Sequence, residues 1–425
     1  MKTIMKDALN TILSTIKPGR KEQQHVASAI TSFLLALHKN LKDAKAILGG
    51  SGAKGTWLSG NHDIDIFVLY KYTIYKAQSK ELSNLLEPIL KKSFPTQKIE
   101  RLHGSRDYFR FTYHDLHFEI VPILHINAAE QAVNITDISP LHAQWVNAHT
   151  KKMKDDILLA KQFLKANNLY GAESHIGGLS GYTVEILIAY YGPLEKLFKA
   201  AATWEAKEVI DISKYYKTKD PLFELNQSKL QSPLVVIDPV DKFRNTAAAF
   251  TMEKFLVLKK KAREYLKKPD PSFFEKKVIS FSLLEAEATK KKTNLVYITV
   301  VPLAGKEDVV GGKLMKVFQF IHQTLMPYSP SSVHWDWPSP QEARFYFFLQ
   351  KKELSPTQVH QGPPLKMDSF VKEFKKKYKE TFVEKDHIMA KIKTIHPLLK
   401  DRLPVLLKEK YITERIKNVK EVKIV

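Results

Sequence analysis

The fold of this chain is decided by Leu48-Gly-Gly-Ser-Gly-Ala-Lys-Gly-Thr-Trp-Leu-Ser-Gly-Asn-His-Asp-Ile-Asp-Ile-Phe-Val-Leu-Tyr70. Small, flexible residues lead into a β-branched and aromatic run at 64–70, which predicts a strand. Asp63 and Asp65 stand at the start of that strand, two residues apart, so their side chains project from the same side. Two carboxylates held side by side repel each other, and the pattern makes sense mainly if cations lie between them.

The glycines of this stretch point to a phosphate. Gly49, Gly50 and Gly52 leave the backbone free to bend around an anion, with Ser51 and Lys54 as donors. A Gly-Ser turn before a strand is ordinary, and Asp-x-Asp alone is a weak signal. Their combination, in this order, is more specific and indicates metal-assisted nucleotidyl transfer.

Composition indicates a folded protein with an anionic partner. With 425 residues, the chain is long enough for two to four domains. The net charge of +22 suits a polyanion such as nucleic acid, although a basic solubilising surface would give the same number. Cysteine is absent, which excludes disulfides, thiolate zinc ligands and a cysteine nucleophile.

No apolar run approaches the roughly 20 residues that span a bilayer. Polar residues interrupt the N-terminal segment where a signal peptide would have its apolar core. We therefore expect a soluble, cytoplasmic protein with no membrane contact.

Hydrophobic spacing predicts a catalytic module of about 150 residues at the start of the chain. Its expected elements are a helix at 20–40, the strand at 64–70, a helix at 79–92 and strands at 107–114 and 116–124. Glu119 lies in the otherwise apolar last strand, where a carboxylate is costly unless it is paired or metal-bound.

From residue 151 the pattern becomes helical, and then mixed. Ile157, Ala160 and Leu164 form one stripe of a helix that Asn167-Asn168 and Gly171 close. Further helices are expected near 182–191, 193–205 and 246–266, with a short strand at 234–237. Further on, strands at 294–303, 332–337 and 343–350 and a helix at 313–325 predict a small sheet covered by helices. The aromatic residues at 345–348 fit a core better than a base-stacking platform. A basic helix at 370–379 could follow a phosphate backbone or simply face solvent.

Several motifs together resemble one family. They are Gly-Ser-x-Ala-Lys-x-Thr-Trp-Leu at 50–58, Phe163-Leu-Lys-Ala-Asn-Asn-Leu-Tyr-Gly-Ala-Glu173, Gly178-Leu-Ser-Gly-Tyr182 and Asp238-Pro-Val-Asp-x-x-Arg-Asn245. With Asp63-x-Asp65 and Glu119, this set resembles the class I, archaeal-type CCA-adding enzymes, which belong to the polymerase-beta-like nucleotidyltransferases. The resemblance is strong to about residue 262 and weaker beyond.

The resemblance implies an α+β multidomain fold with four parts. These are a nucleotidyltransferase head at 1–150, a helical neck that recognises the base at 151–266, an α/β RNA-binding body at 267–361 and a basic helical tail that contacts tRNA at 362–425. It also implies template-independent addition and repair of the 3′ CCA of tRNA from CTP and ATP. Mg²⁺ is the implied cofactor, the acceptor arm and 3′ end of tRNA are the implied contact, and a homodimer is suggested.

The resemblance also implies roles for individual residues. Asp63, Asp65 and Glu119 would be the catalytic metal ligands. The nucleotide would be bound by residues of the head and the neck, namely Gly50, Ser51, Lys54, His142, Lys161, Tyr170 and Arg244. Arg244 would read the base, and Asp241 could orient it.

Two departures from the family pattern stand out. The family has Glu then Asp in the first pair and Asp as the third carboxylate, whereas this chain has Asp63, Asp65 and Glu119. A histidine expected before the third carboxylate is replaced around Ser105-Arg106. Carboxylates of either length suit a hard metal ion, but the longer Glu must be set back slightly.

Simpler roles remain open for several of these residues. His142 could be a surface or capping histidine, and Tyr170 could pack at a helix end. Arg244 could have no role beyond pairing with Asp238 or Asp241. At the level of function, the alternatives are a poly(A)-polymerase-like or oligoadenylate-synthase-like transferase, or a catalytically retired RNA-binding relative.

Overall fold

The structure is a computed structural model that describes residues 2–61, 63–217, 219–276 and 279–425, with side chains from Ala8 onward. The chain forms two compact units, residues 1–277 and 278–425. No helix among the described residues is long and apolar enough to cross a membrane.

The first unit contains a five-stranded sheet and a helical region. Its helices are α1 (Lys2–Ile16), α2 (Arg20–His38), α3 (Gly50–Lys54), α4 (Tyr72–Tyr75), α5 (Leu82–Ser93), α6 (Ser139–His149), α7 (Lys154–Ala166), α8 (Gly181–Tyr191), α9 (Leu194–Thr203), α10 (Pro221–Glu224) and α11 (Met252–Lys267). Its strands are β1 (Ala44–Leu48), β2 (Asp63–Lys71), β3 (Glu100–Leu102), β4 (Tyr108–Tyr113), β5 (Leu116–His125), β6 (Glu208–Ile210) and β7 (Leu234–Val236).

The sheet of the first unit has the strand order β1-β2-β5-β4-β3, in which only β2 and β5 run parallel. His114 and Asp115 join β4 to β5 in a two-residue turn with φ of 50° and 62°. Positive φ at both turn positions matches the right-handed twist of an antiparallel pair. The turn therefore fixes the register that brings Glu119 into the sheet.

One face of this sheet is covered by α2 and α5. Phe33 of α2 is fully buried and stacks on Phe118 at 4.3 Å between ring centroids. Ile64 and Ile66 of β2 face the same core, so the intervening Asp65 faces the other way. The alternation in β2 thus sends apolar side chains to the core and carboxylates to the open face.

A second core lies in the helical region from α7 to α11. Phe163, Phe198 and Phe255 are buried in it. Ile16 of α1 belongs to this core as well, and Lys17 pairs with Asp155 at the start of α7 at 2.8 Å. The first helix therefore packs with the helical region, although the sequence predicted a head that begins at residue 1.

The second unit is built on an antiparallel sheet of order β14-β8-β10-β9. Its strands are β8 (Asn294–Val301), β9 (Pro330–Ser339), β10 (Glu342–Leu349) and β14 (Asn418–Ile424). Residues from α13 (Glu307–Leu325) and α15 (Leu399–Leu406) form the core on one face, and α12 (Phe281–Lys291) packs on the other. Phe345, Tyr346, Phe347 and Phe348 are at most 1% exposed, which confirms them as core residues.

The tail is more than the helix that the sequence predicted. Besides α14 (Asp368–Lys377), residues 362–425 hold α15 and β14, described above, and also α16 (Lys410–Thr413), β12 (Thr381–Glu384) and β13 (His387–Lys393). Together with β11 (Thr357–Pro364), which begins before residue 362, β12 and β13 form a sheet of order β11-β13-β12.

Two predicted helix starts were wrong. α11 begins at Met252 rather than at 246, because the Thr251 side chain caps it by accepting from the Lys254 amide at 3.3 Å. α13 begins at Glu307, six residues before the prediction.

Candidate active site

The carboxylates that the sequence singled out lie on neighbouring parallel strands. Asp65 of β2 stands directly opposite Glu119 of β5, and Asp63 stands opposite His117. Burial raises the pKa of Asp65 to about 7, and the charges of Glu119 and Asp63 add to the rise while Lys54 opposes it. The open face of the sheet therefore holds a group of negative charges close enough to repel one another.

The glycine turn packs directly on Asp65. The amide of Gly49 donates to the Asp65 carbonyl at 2.7 Å. Gly50 has φ of +52°, and a Cβ added there would lie 1.6 Å from Asp65 Oδ2. Ser51 follows in α3 and is half-buried. Only glycine at position 50 lets the turn approach the carboxylate this closely.

Lys54, at the end of α3, is held by the carboxylate of Glu185, which is not among the residues predicted from the sequence. Its Nζ lies 2.8 Å from Oε2 of Glu185 in α8. Glu185 is fully buried and also accepts from Thr56 Oγ1 at 2.6 Å and from Lys161 Nζ at 2.8 Å. Burial alone would raise the pKa of Glu185, but the charges and hydrogen bonds of Lys161 and Lys54 lower it to about 2.

Lys161 lies beneath the predicted phosphate site rather than on its surface. It is 2% exposed, and its ammonium donates to Glu185 Oε1, to Thr56 Oγ1 and to the Thr56 carbonyl. These contacts account for the three donors of a lysine ammonium. Burial lowers its pKa, against the opposing charge of Glu185. A direct role in nucleotide binding stays a prediction for Lys161.

Tyr170 lies next to this lysine and beside Gly181, the first residue of α8. A methyl group built on Gly181 would be 2.7 Å from the Tyr170 hydroxyl and 3.5 Å from Lys161 Nζ. An isolated β-bridge between Tyr170 and Leu179 holds Tyr170 close to the start of α8.

A second polar group surrounds Asp238. Its carboxylate contacts His142 Nε2 at 2.9 Å, accepts from the Tyr182 hydroxyl at 2.9 Å and lies 3.4 Å from the Arg244 guanidinium. Burial lowers the pKa of His142, while Asp238 opposes that shift. Arg244 also lies 3.4 Å from His142 Nε2, so the predicted base reader and the predicted histidine are neighbours.

The carboxylate beside the Arg244 guanidinium is that of Asp238, whereas Asp241 contacts Arg244 through the backbone, where its carbonyl accepts from the Arg244 amide at 3.0 Å. Asp241 Oδ1 accepts from the amide of Phe243 at 3.0 Å and so holds the turn. The suggestion that Asp241 orients Arg244 is corrected accordingly.

Tyr182 joins the two groups. Its ring stacks on His142 at 4.1 Å, and Lys54 Nζ lies 5.4 Å from its centroid. The structure thus brings Lys54, His142 and Arg244 together around the first turn of α8, beside the Lys161–Glu185 pair.

Sequence reasoning missed Glu185, Lys154 and Lys165. A carboxylate in the apolar run 182–191 must be paired, as Glu119 must, so the same reasoning that selects Glu119 also points to Glu185. Lys154 donates to the Lys54 carbonyl and to Asn147 Oδ1. For Lys165, burial lowers the pKa and the charge of Asp63 opposes the shift, so this lysine lies on the carboxylate side.

Arg106, in the segment where the family pattern would have a histidine, has a structural role. It is buried and donates to Asp137 Oδ1 at 2.7 Å and to the Pro122 carbonyl at 2.9 Å. Asp137 in turn accepts from the amides of Leu124, Val133 and Asn134. This pair ties the loop after β5 to the sheet.

The carboxylates fit a divalent cation by their chemistry. They are hard oxygen donors with mutual repulsion that an ion would relieve, which is the donor set that Mg²⁺ prefers. Among the described residues, no group of three acidic, histidine or cysteine side chains is already arranged around one point.

Two family models and several curated proteins match this chain. Residues 30–114 match a family model described as a nucleotidyltransferase domain, and residues 155–275 match the second domain of tRNA nucleotidyltransferase. The CCA-adding enzyme of Nanoarchaeum equitans is 32% identical over 89% of this chain and 94% of its own. That of Methanosarcina barkeri is 30% identical over 92% and 88%.

Solved structures agree at the level of the fold. The Cid1 poly(U) polymerase bound to MgATP matches with a TM-score of 0.53 at 16% identity, over 65% of this chain and 99% of that one. The nucleotidyltransferase fold of the first unit, together with relatives that share nearly their whole length with this chain, shows that the chain belongs to the CCA-adding enzyme family of tRNA nucleotidyltransferases.

Proposed function

We propose that this protein builds and repairs the 3′-terminal CCA of tRNA from CTP and ATP without a nucleic-acid template. The observation that carries the proposal is the meeting of two sets of residues. The head supplies Asp65 and Lys54, and the neck supplies Arg244 and the Glu185 that holds Lys54. Membership of the CCA-adding family supports the choice of tRNA as substrate.

The 3′-hydroxyl of the tRNA attacks the α-phosphorus of the nucleotide. A new P–O bond forms, the bond to the β-phosphate oxygen breaks, and pyrophosphate leaves. Asp63, Asp65 and Glu119 would hold Mg²⁺, which when bound neutralises the charge on the attacking and leaving oxygens. Glu119 orients the hydroxyl or takes its proton.

Cationic and backbone donors of the turn stabilise the triphosphate. Lys54 offers its ammonium beside Asp65, and Ser51 offers its hydroxyl from the same short helix. Such positioned charges carry most of the catalysis in phosphoryl transfer.

Base choice belongs to the group around Asp238. Arg244 can donate to acceptors that both cytosine and adenine present, and its planar fork suits that task better than lysine. Asp238 fixes Arg244 and His142 together, and Tyr182 fixes Asp238 from the other side.

The division into head, neck, body and tail, with the tail on tRNA, forms part of the proposal. Support comes from the change from sheet to helices near residue 151 and from the exposed lysines of α14. The boundary between body and neck would then move from 267 to about 278, where the two compact units divide. The homodimer stays a prediction.

The test is addition to a tRNA transcript that ends at the discriminator base. With Mg²⁺, CTP and ATP, we expect three nucleotides to be added and synthesis to stop, read as product length on a sequencing gel. Asp65→Asn should abolish incorporation while tRNA affinity stays within a fewfold. Asp43→Asn is the matched control, because Asp43 forms a surface pair with Lys71 on the same sheet and should leave addition unchanged.

Three results would contradict the proposal. Unlimited addition of A would favour a poly(A)-polymerase-like enzyme, and labelled products without tRNA would favour an oligoadenylate-synthase-like one. Binding of tRNA without any incorporation would indicate the retired relative.

A further inference from the structure

We propose that Glu185 is a positioning residue for the incoming nucleotide, which it serves by holding Lys54 at the triphosphate site. This inference rests on the proposed function and extends it to a carboxylate that is fully buried.

Glu185 is the shared partner of head and neck. It is fully buried in α8, and its two oxygens receive different groups. Oε2 receives Lys54 from the head, whereas Oε1 receives Lys161 from the neck and the hydroxyl of Thr56. A buried carboxylate is tolerated only when it is fully paired, and here two ammoniums and one hydroxyl meet that need.

The two lysines that Glu185 binds have different surroundings. Lys161 directs its three donors to Glu185 and to both oxygens of Thr56, so it serves as the fixed counter-ion of the buried pair. The Lys54 side chain keeps 11% exposure, and its charge acts on Asp65. Lys54 is therefore the lysine that faces the reacting phosphates, and Glu185 sets where its ammonium stands.

Nearby contacts show that this end of α3 is held at several points by side chains of α6 and α7. Asn147 Nδ2 donates to the Ala53 carbonyl at 2.9 Å, Lys154 donates to the Lys54 carbonyl, and Lys161 donates to the Thr56 carbonyl at 3.0 Å. These donors fix the backbone of residues 53–56. Among the side-chain hydrogen bonds at this point, the one to Glu185 fixes the Lys54 ammonium itself.

The experiment is a mutant cycle on the full-length protein with Glu185→Gln, Lys54→Met and the double variant. KM for CTP and kcat are measured on the tRNA transcript, with Tm as a check on folding. Because a charge-assisted hydrogen bond is lost, we expect Glu185→Gln to raise KM about tenfold or more and to change kcat less than about threefold. If Glu185 acts through Lys54, the double variant should have a KM no higher than Lys54→Met alone.

The control is Glu195→Gln in α9, which removes a carboxylate that pairs with Lys199 on the surface of the neck at 2.6 Å. It should leave KM and kcat unchanged. If Glu185→Gln folds poorly, Glu185→Asp keeps the buried charge but shortens the reach to Lys54, and the same cycle is run with it.

A purely structural role predicts a different pattern. Glu185→Gln would then lower Tm and the active fraction while KM stays at the wild-type value, or the KM effects of the two substitutions would multiply. Either result overturns the inference. A wild-type protein that adds no nucleotides would instead overturn the proposed function, so the two failures are distinguishable.

Discussion

Gly50 shows how tightly one position constrains the carboxylate face. Its φ of +52° disfavours any side chain, and an added Cβ would meet Asp65 Oδ2 at 1.6 Å. We expect Gly50→Ala to abolish nucleotide incorporation and to lower the free energy of unfolding by more than the roughly 1–2 kcal/mol that a left-handed conformation costs a residue other than glycine. Incorporation assays and denaturant unfolding measure the two effects.

Gly55 offers a matched control for this prediction. It has φ of +63°, but an added Cβ would meet nothing within 4 Å. Gly55→Ala should therefore lose stability through the backbone alone and keep measurable activity. Equal loss of activity in both variants would show that the contact with Asp65 is not what matters.

At this scale the sequence predicted which residues lie near one another better than how they are paired. Asp63, Asp65 and Glu119 could be found because carboxylates in apolar strands need an explanation. Asp238 and Asp241 could not be told apart as partners of Arg244, because both lie within six residues of it and only the turn geometry decides. Burial of Lys161 was not predictable, since a lysine on an amphipathic helix usually faces water.

Among the elements, α8 carries a charge that ties stability to pH. The folded protein holds the pKa of Glu185 at about 2, below the ordinary value of a glutamate. A lowered carboxyl pKa contributes stability above the unfolded value, about 4.3 for glutamate, and that contribution is lost as the pH falls toward 2. We expect Glu185→Gln to lower Tm relative to wild type at pH 5 and above.

Below that range, the Tm values of the two proteins should converge as the pH approaches 2, as measured by thermal unfolding across pH 2–7. Glu195→Gln should follow the wild type throughout, because its carboxylate is half exposed. A gap between wild type and Glu185→Gln that persists unchanged at pH 2 would argue against an ionised Glu185 in the native state.

The elements that were missed share a physical cause. β1 reads Ala-Lys-Ala-Ile-Leu, which has little strand character, and it forms because β2 offers a free edge. β14 pairs with β8, and its Asn418 stands opposite Val301. Pairing across such a distance in sequence depends on tertiary packing, which local patterns do not reveal. The long helices with regular apolar spacing, such as α2 and α7, were predictable for the opposite reason.

For the whole molecule, the net charge of +22 raises the question of where RNA is held. The last turn of α14 carries Lys375, Lys376 and Lys377, all exposed. Replacing the three with glutamine should weaken tRNA affinity about tenfold or more, because each lost phosphate contact removes part of the electrostatic binding. KM for CTP should stay unchanged in the same assays.

The matched variant removes the same charge elsewhere in the second unit, at Lys290, Lys291 and Lys292, which are exposed at the end of α12. If both variants lose tRNA affinity equally, the effect is one of overall charge and α14 has no special place in binding.

Because the Lys54–Glu185–Lys161 group is buried, rising ionic strength should affect it less than it affects exposed charges. At 0.1 M salt, dissolved ions largely screen exposed charges that are more than about 10 Å apart, but they act far less on a buried pair. The lysines of α14 face water, whereas Glu185 and Lys161 do not. Rising salt should thus release tRNA well before it disturbs the nucleotide site, so that a protein unable to hold RNA in concentrated salt still binds CTP.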